Sequence, residues 1–276
     1  MNIQQIEDLL IAAGIEPNEA RAEVKIMLQD ICNWSPMDII LGKPLDESKL
    51  GVVYELAQER VKTRKPLQHL LGKSFFYGNY YKVNENVLIP RDETELLVKK
   101  ALEIIKKGGL HDILDIGTGS GCIACSIALN ADTYVLGVDI SSEALRVALE
   151  NASLLNLNNK AVFRKSDLYS KIRENEKFDM IVSNPPYIPK GTPLQKEVEY
   201  DPELALFTQD EEGLEFYIRI IEGARDFLKP NGFLVFECGV DQAQKIKRIF
   251  AQNGFGNIEI ENDFAGIERV VVAQLL

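Results

Sequence analysis

The sequence is poor in the residues that build metal and disulfide frameworks. It holds only two histidines, His69 and His111, and four cysteines, Cys32, Cys122, Cys125 and Cys238. A structural zinc site needs a cluster of such ligands, and a disulfide-stapled fold needs cysteines at higher density. The four thiols therefore read as reduced and buried, and no metal is expected. Long apolar runs are missing as well. No stretch approaches the ~20 residues that cross a bilayer as a helix. The N-terminal stretch has no cationic region, no apolar core and no Arg-rich amphipathic face, so it does not read as a targeting segment. Positive charge is scarce, with 31 Lys and Arg against 42 Asp and Glu and a net charge of −11. Such a surface repels a phosphate backbone, so direct nucleic-acid binding is not expected. Together these absences predict a soluble, cytoplasmic protein with no membrane partner.

What is present suits a packed enzyme. A chain of 276 residues, 46% of them hydrophobic, can build one large domain and a small satellite. Residues 1–72 read as a helical domain. Ile3, Ile6, Leu9 and Leu10 recur at helical spacing before Gly14, and Asn18 can open a second helix through Ala22, Ile26 and Leu28. Ser35-Pro36 offers a cap and a first-turn proline. Asp46 starts a longer helix that closes at Lys65-Pro66. Its basic run Arg60, Lys62, Arg64 and Lys65 reads as a solvated helix end. Residues 73–91 form a linker, read as a β-hairpin turning at Gly78-Asn79. Residues 92–276 alternate helix and strand. Asp92 and Glu95 resemble a capping box that opens a helix running to Gly108-Gly109. Strands are expected at Ile113–Ile116, Tyr134–Val138, Ala161–Phe163, Met180–Ser183, Phe233–Phe236, Ile258–Ile260 and Val270–Ala273. That order predicts an α/β, Rossmann-like sheet, largely parallel, with an antiparallel strand near its end.

Ile113-Leu-Asp115-Ile-Gly117-Thr-Gly119-Ser-Gly121 lies where a strand hands over to a helix, and its glycines allow tight turning and close backbone approach to a ligand. It is not the dinucleotide fingerprint, which places a further glycine where this chain has Cys122. Its acidic leader, Asp115, would repel a pyrophosphate but suits the cationic amino-acid end of S-adenosylmethionine. Asp139, ending the next strand, is placed to accept from both ribose hydroxyls. Asp167, after the third strand, is placed to accept from the adenine amino group. Ligands of open α/β sheets bind at these carboxyl ends.

The fourth strand ends at Asn184-Pro185-Pro186-Tyr187. The two prolines remove amide donors, which leaves carbonyl oxygens to face a ligand, and Asn184 adds a side-chain oxygen. Acceptors converging on an NH2 group favour the pyramidal, positively charged nitrogen formed as it attacks a sulfonium methyl. Tyr187 offers a flat face to a planar group. No general base is required, because the nitrogen becomes acidic once it is alkylated.

With these motifs the chain resembles the protein-(glutamine-N5) methyltransferases that act on peptide-chain release factors. The resemblance covers nearly the whole length. It rests on Val87-Leu-Ile-Pro90-Arg91 with Glu93-Thr-Glu95, on Asp115–Gly121, on Asn184–Tyr187, and on Pro202-Glu-Leu-Ala-Leu206 with Gly213-Leu214. It implies a seven-stranded class I S-adenosylmethionine-dependent methyltransferase domain behind a helical substrate-recognition domain. The implied substrate is the glutamine of the Gly-Gly-Gln loop of class I release factors, in support of translation termination, with S-adenosylhomocysteine as product. The implied cofactor contacts are Gly117, Thr118, Gly119, Ser120, Gly121, Asp139, Asp167, Leu168 and Asn184. The implied substrate set is Asn184, Pro185, Pro186, Tyr187 and Arg91, with Asn184, Pro185 and Tyr187 serving catalysis. The chain departs from the family's usual residues at Asp92, Asp201, Gln209 and Asp210. The alternative reading is an N6-adenine or N4-cytosine nucleic-acid methyltransferase, since the same Asn-Pro-Pro-Tyr chemistry serves a flipped base. The first 75 residues, with nine basic and eleven acidic side chains, offer no basic surface for it.

Overall fold

Asn2 opens the first helix, α1 (Ile3–Ala12), through a reciprocal capping box with Gln5. The second, α2 (Pro17–Cys32), starts one residue before Asn18, because the Glu16 carboxylate accepts from the Asn18 and Glu19 amides and Pro17 fits the first turn. Ser35 and Asp38 cap α3 (Pro36–Ile40), and Asp46 caps α4 (Glu47–Thr63). A further short helix, α5 (Leu67–Leu71), follows Pro66. Ile6, Leu10, Val24, Leu28, Val53 and Ala57 form the apolar core of this bundle. The structure, a computed structural model, describes residues 2–44 and 46–276. It divides the chain into two units, of which the helical one is Met1–Leu71 together with Gln195–Tyr200.

That short later segment corrects the expectation for the basic run. Arg60 is not solvated but 1% exposed. Its Nε donates to both Glu23 oxygens at 3.0 and 3.2 Å, and its Nη1 to Glu197 Oε1 at 3.1 Å. Arg64 also pairs with Glu197, and the Tyr200 hydroxyl donates to the Thr63 carbonyl.

The larger unit opens with the hairpin β1 (Lys73–Phe76) and β2 (Asn79–Lys82). Phe76 pairs with Asn79, so the turn residues are Tyr77 and Gly78, one position earlier than expected. Both take positive φ, 45° and 82°, which matches the twist of a two-residue hairpin. The Tyr77 amide donates to Glu95 Oε1 at 2.7 Å. Glu95 therefore does not close a capping box with Asp92, and α6 (Thr94–Gly108) begins without a side-chain cap.

The chain then alternates: β3 (Asp112–Ile116), α7 (Cys122–Asn130), β4 (Tyr134–Asp139), α8 (Ser142–Leu154), β5 (Ala161–Lys165) and β6 (Phe178–Ser183). The segment after β6 holds β7 (Ile188–Pro189), a 3-10 turn at Val198–Tyr200, α9 (Glu203–Leu206) and β8 (Phe207–Thr208), with β7 and β8 paired in parallel. The unit closes with α10 (Glu215–Ala224), β9 (Leu228–Glu237), α11 (Ala243–Gln252), β10 (Phe255–Asn262) and β11 (Glu268–Leu275). Seven strands form one sheet in the order β10-β11-β9-β6-β3-β4-β5. β11 runs antiparallel between β9 and β10, and the other pairings are parallel. Alternate strand residues feed two cores. Leu114, Leu136, Ile181 and Leu234 pack with α10 and α11, while Ile113, Val135, Met180 and Val235 pack with α6 and α7. This is the expected fold class. No helix among the described residues is long and apolar enough to cross a membrane.

Candidate active site

The carboxyl ends of β3, β4 and β6 meet over one cavity of about 230 Å³. Gly117, Gly119 and Gly121 all have positive φ, between 53° and 77°, a backbone that residues with a Cβ rarely adopt. The Gly117 and Thr118 amides donate to the Val138 carbonyl at 2.9 and 3.0 Å, which folds the loop against the end of β4. Asp139 takes up the next amides, Gly119 at 2.9 Å on Oδ2 and Ser141 at 2.8 Å on Oδ1. Burial raises the pKa of its carboxyl, and the bonds from Ser141 and Gly119 pull against that rise.

The structure gathers most of the expected residues around this cavity. Gly117, Gly119, Asp139, Asp167, Leu168, Asn184, Pro185 and Pro186 line it. Thr118, Ser120 and Gly121 do not: they turn inward and hold the loop. The Thr118 hydroxyl donates to Asp115 Oδ2 at 2.6 Å, the Ser120 carbonyl accepts from Asn151, and a Cβ on Gly121 would stand 3.0 Å from that of Ala148. Asp115 is fully buried and absent from the lining, and its Oδ1 has no hydrogen-bond partner among the described residues. Burial pushes its carboxyl up to about 7. Asp167 is exposed enough to meet a ligand and pairs with Arg219 at 3.1 Å.

Tyr187 and Arg91 stand outside the cavity. Tyr187 lines an adjoining hollow of about 430 Å³ with Ile188, Pro189 and Val240. Its carbonyl accepts from Gln242 Nε2 at 3.1 Å, and burial pushes its phenol up to about 12. Arg91 Nη2 donates at 2.6 Å to Asp201, which is buried and also accepts from the Ile89 amide at 3.2 Å. Arg91 therefore ties the segment before α6 to the one before α9. One other departure, Asp210, has a structural use as well. Asp210 accepts from the Leu214 and Glu215 amides at 2.8 and 3.2 Å and so caps α10.

Several lining residues escaped the sequence reading: Ile140, Leu204, Phe216, Arg219 and Ile220. Phe216 and Ile220 stand four apart on α10, a spacing that also fits plain core packing, so it carried no signal of a site. Two more lie behind Asn184. Its Nδ2 donates to Thr94 Oγ1 at 3.2 Å, and Glu237, at the end of β9, is buried beside both. The free cysteines are all buried, Cys122 with its thiol pushed up to about 12 by that burial. No cluster of three or more metal-ligating side chains occurs among the described residues.

The chain matches the methyltransferase small domain over residues 92–199 and the PrmC N-terminal domain over residues 2–72. It is 39% identical to the release factor glutamine methyltransferase of Clostridium acetobutylicum over 98% of each chain. It is 38% identical to that of Fusobacterium nucleatum over 88% of this chain and 69% of that protein. Among solved structures, a methyltransferase from Pyrococcus furiosus superposes with a TM-score of 0.54 at 19% identity, covering 79% of this chain and 96% of that one.

Proposed function

Because the chain belongs to the release factor glutamine methyltransferase family, we propose that its cavity binds S-adenosylmethionine and that its substrate is the Gly-Gly-Gln glutamine of class I release factors. The observation that carries this reading is the convergence of three features on one cavity: the glycine loop, the carboxylates of Asp139 and Asp167, and Asn184-Pro185-Pro186. The residues present fit the cofactor. Asp139 has lone pairs beyond those taken by Gly119 and Ser141 and would accept from the ribose hydroxyls. Asp167 would accept from the adenine amine, with Ile140, Leu168 and Phe216 as apolar flanks. The backbone of Gly117 and Gly119 leaves room for the amino-acid end, and the buried Asp115 carboxyl behind the loop, raised to about 7, would be drawn into its ionised form by that cationic group. When bound, the cofactor supplies an electrophilic methyl on a sulfonium.

The glutamine side would be served from the end of β6. Asn184 Oδ1 and the Pro185 carbonyl would accept from the two amide hydrogens, with Pro186 bounding the slot and Tyr187 offering its ring from the adjoining hollow. These acceptors favour the pyramidal, positive nitrogen over the planar amide, which lowers the barrier rather than only tightening binding. Arg91 is left out of the substrate set because Asp201 holds it. The test is incubation with methyl-labelled cofactor and purified class I release factor, followed by mass spectrometry of the Gly-Gly-Gln peptide. One methyl on the glutamine amide nitrogen is expected. Label in nucleic acid and none in protein would move the assignment to the alternative reading.

A further inference from the structure

Asn184 can act as an acceptor only if its amide is turned the right way, since the oxygen and the NH2 group differ little in shape. Its Nδ2 donates to Thr94 Oγ1 at 3.2 Å. The Thr94 hydroxyl and the Asn184 amide both act on the Glu237 carboxyl, each pulling its pKa down against the rise that burial causes. Glu237 is 3% exposed, and its Oε2 has no hydrogen-bond partner among the described residues. A glutamate this deep and incompletely paired costs stability, and the transfer chemistry described above gives it no direct part. Its backbone is fixed as well, since the carbonyl accepts from the Tyr217 hydroxyl at 2.9 Å.

We propose that Glu237 and Thr94 are positioning residues for methyl transfer. They present acceptors to the Asn184 NH2 group, so that Asn184 Oδ1 faces the cavity, and the Glu237 charge polarises that amide into a stronger acceptor. The Thr94 hydroxyl accepts from Asn184 and therefore has its own hydrogen free for Glu237. The three groups form a chain in which each donor has one sensible acceptor. The inference rests on the reading of Asn184 as the acceptor for the substrate amide.

Glu237 also makes the chain sensitive to pH. Burial pushes its carboxyl from 4.5 up to about 7, with Thr94, Arg269 and Asn184 pulling down and Glu93 pushing up. Tyr187, Tyr217, Cys122 and Cys238 face it too, and its charge raises the pKa of each. The folded protein therefore holds a proton that the unfolded chain releases between these values. Stability from this group is present below 4.5 and is lost as pH rises through about 7. Ionisation thus weakens the fold while strengthening the acceptor, and those opposite signs separate positioning from plain packing.

The experiment compares the parent, Glu237→Gln, Glu237→Leu and Thr94→Val. The Asn184 side-chain amide is followed by 15N NMR, assigned by its loss in Asn184→Ala. Single-turnover methyl transfer to release factor is measured at saturating cofactor, so that pH effects on cofactor affinity do not enter, and Glu237→Gln separates Glu237 from Asp115, which titrates in the same range. In the parent the Asn184 signal and the transfer rate should both titrate near 7. In Glu237→Gln both should be flat, with the rate lowered roughly 10–100-fold, the range usual for partners that orient a directly acting group. That variant should also resist urea better than the parent at alkaline pH. Glu237→Leu should be slower still, and adding Thr94→Val to it should slow transfer further, because Thr94 still accepts from Asn184 when Glu237 is gone. An Asn184 signal indifferent to pH in the parent, or one that still titrates in Glu237→Gln, overturns the proposal. Titration of Asn184 without any methylation of release factor would support the positioning chain and sink the functional reading instead.

Discussion

Asp139 can serve a ligand only because its two backbone bonds leave half of its lone pairs unused. Gly119 and Ser141 fix the carboxylate at the mouth of the cavity, and a bound ribose would meet it already oriented. Asp139→Ala should weaken S-adenosylmethionine binding by about 1.5–3 kcal/mol, the value of charge-assisted hydrogen bonds. Calorimetry with an unchanged dissociation constant would remove Asp139 from the site. Asn184→Ala should act on rate instead, lowering kcat about 10²–10³-fold with little change in KM, as for a polar group that meets charge only in the transition state. Rapid-quench turnover at the parental rate would reduce Asn184 to a turn residue. Both residues were legible in the sequence because each ends an apolar strand abruptly. Asp115 was less so. Ile113, Leu114 and Ile116 around it are all buried, on both faces of the sheet, so no alternation of polar and apolar residues showed which way its carboxylate turns. The same reason hid Glu237, which closes a buried run on β9.

At the level of elements, turn chemistry decided what could be foreseen. The hairpin was visible from its flanking aromatics, but its turn was displaced by one residue. Gly78 accommodates positive φ in either register, and the choice falls to the Tyr77 amide, which reaches Glu95 eighteen residues away. Long-range partners of this kind leave no local mark. The segment after Tyr187 was equally opaque, since its two-residue strands are too short to show a period. Gly213 marks where that segment closes. Its φ is 70°, and a Cβ there would stand 2.1 Å from the Tyr187 carbonyl oxygen and 2.5 Å from Gln242 Nε2. Gly213→Ala must therefore push the backbone behind Asn184–Tyr187 away from Gln242. Transfer to release factor should fall well below the parental rate while the cofactor affinity of the cavity persists. A parental rate in the same assay would show that the Tyr187 carbonyl needs no fixed place.

Across the whole molecule, the apolar periodicities made both units legible, whereas the exchange of a segment between them was not. Gln195–Tyr200 lies in the chain between β7 and α9, yet it packs with the helical unit. The basic run closes α4, Glu197 lies 137 residues beyond Arg60, and nothing local in the sequence joins them. Arg60 makes the joint by pairing with Glu23 and Glu197 from a position that water does not reach. A buried pair adds little stability over an apolar substitute, but losing one partner strands the other charge. Burial already raises the Glu23 carboxyl above its ordinary range, although Arg60 opposes that rise. Arg60→Ala should therefore destabilise the helical unit by roughly 3–5 kcal/mol. The cavity-lining residues all belong to the larger unit, so S-adenosylmethionine should bind to Arg60→Ala as it does to the parent. Deleting residues 1–72 removes Arg60 and Arg64 together and releases Glu197 and Tyr200 from every ion pair and hydrogen bond described for them with the bundle. The truncated protein should keep its cofactor affinity by calorimetry and lose methylation of intact release factor. If it still methylates the intact protein at the parental rate, neither the bundle nor its hold on Gln195–Tyr200 serves the reaction.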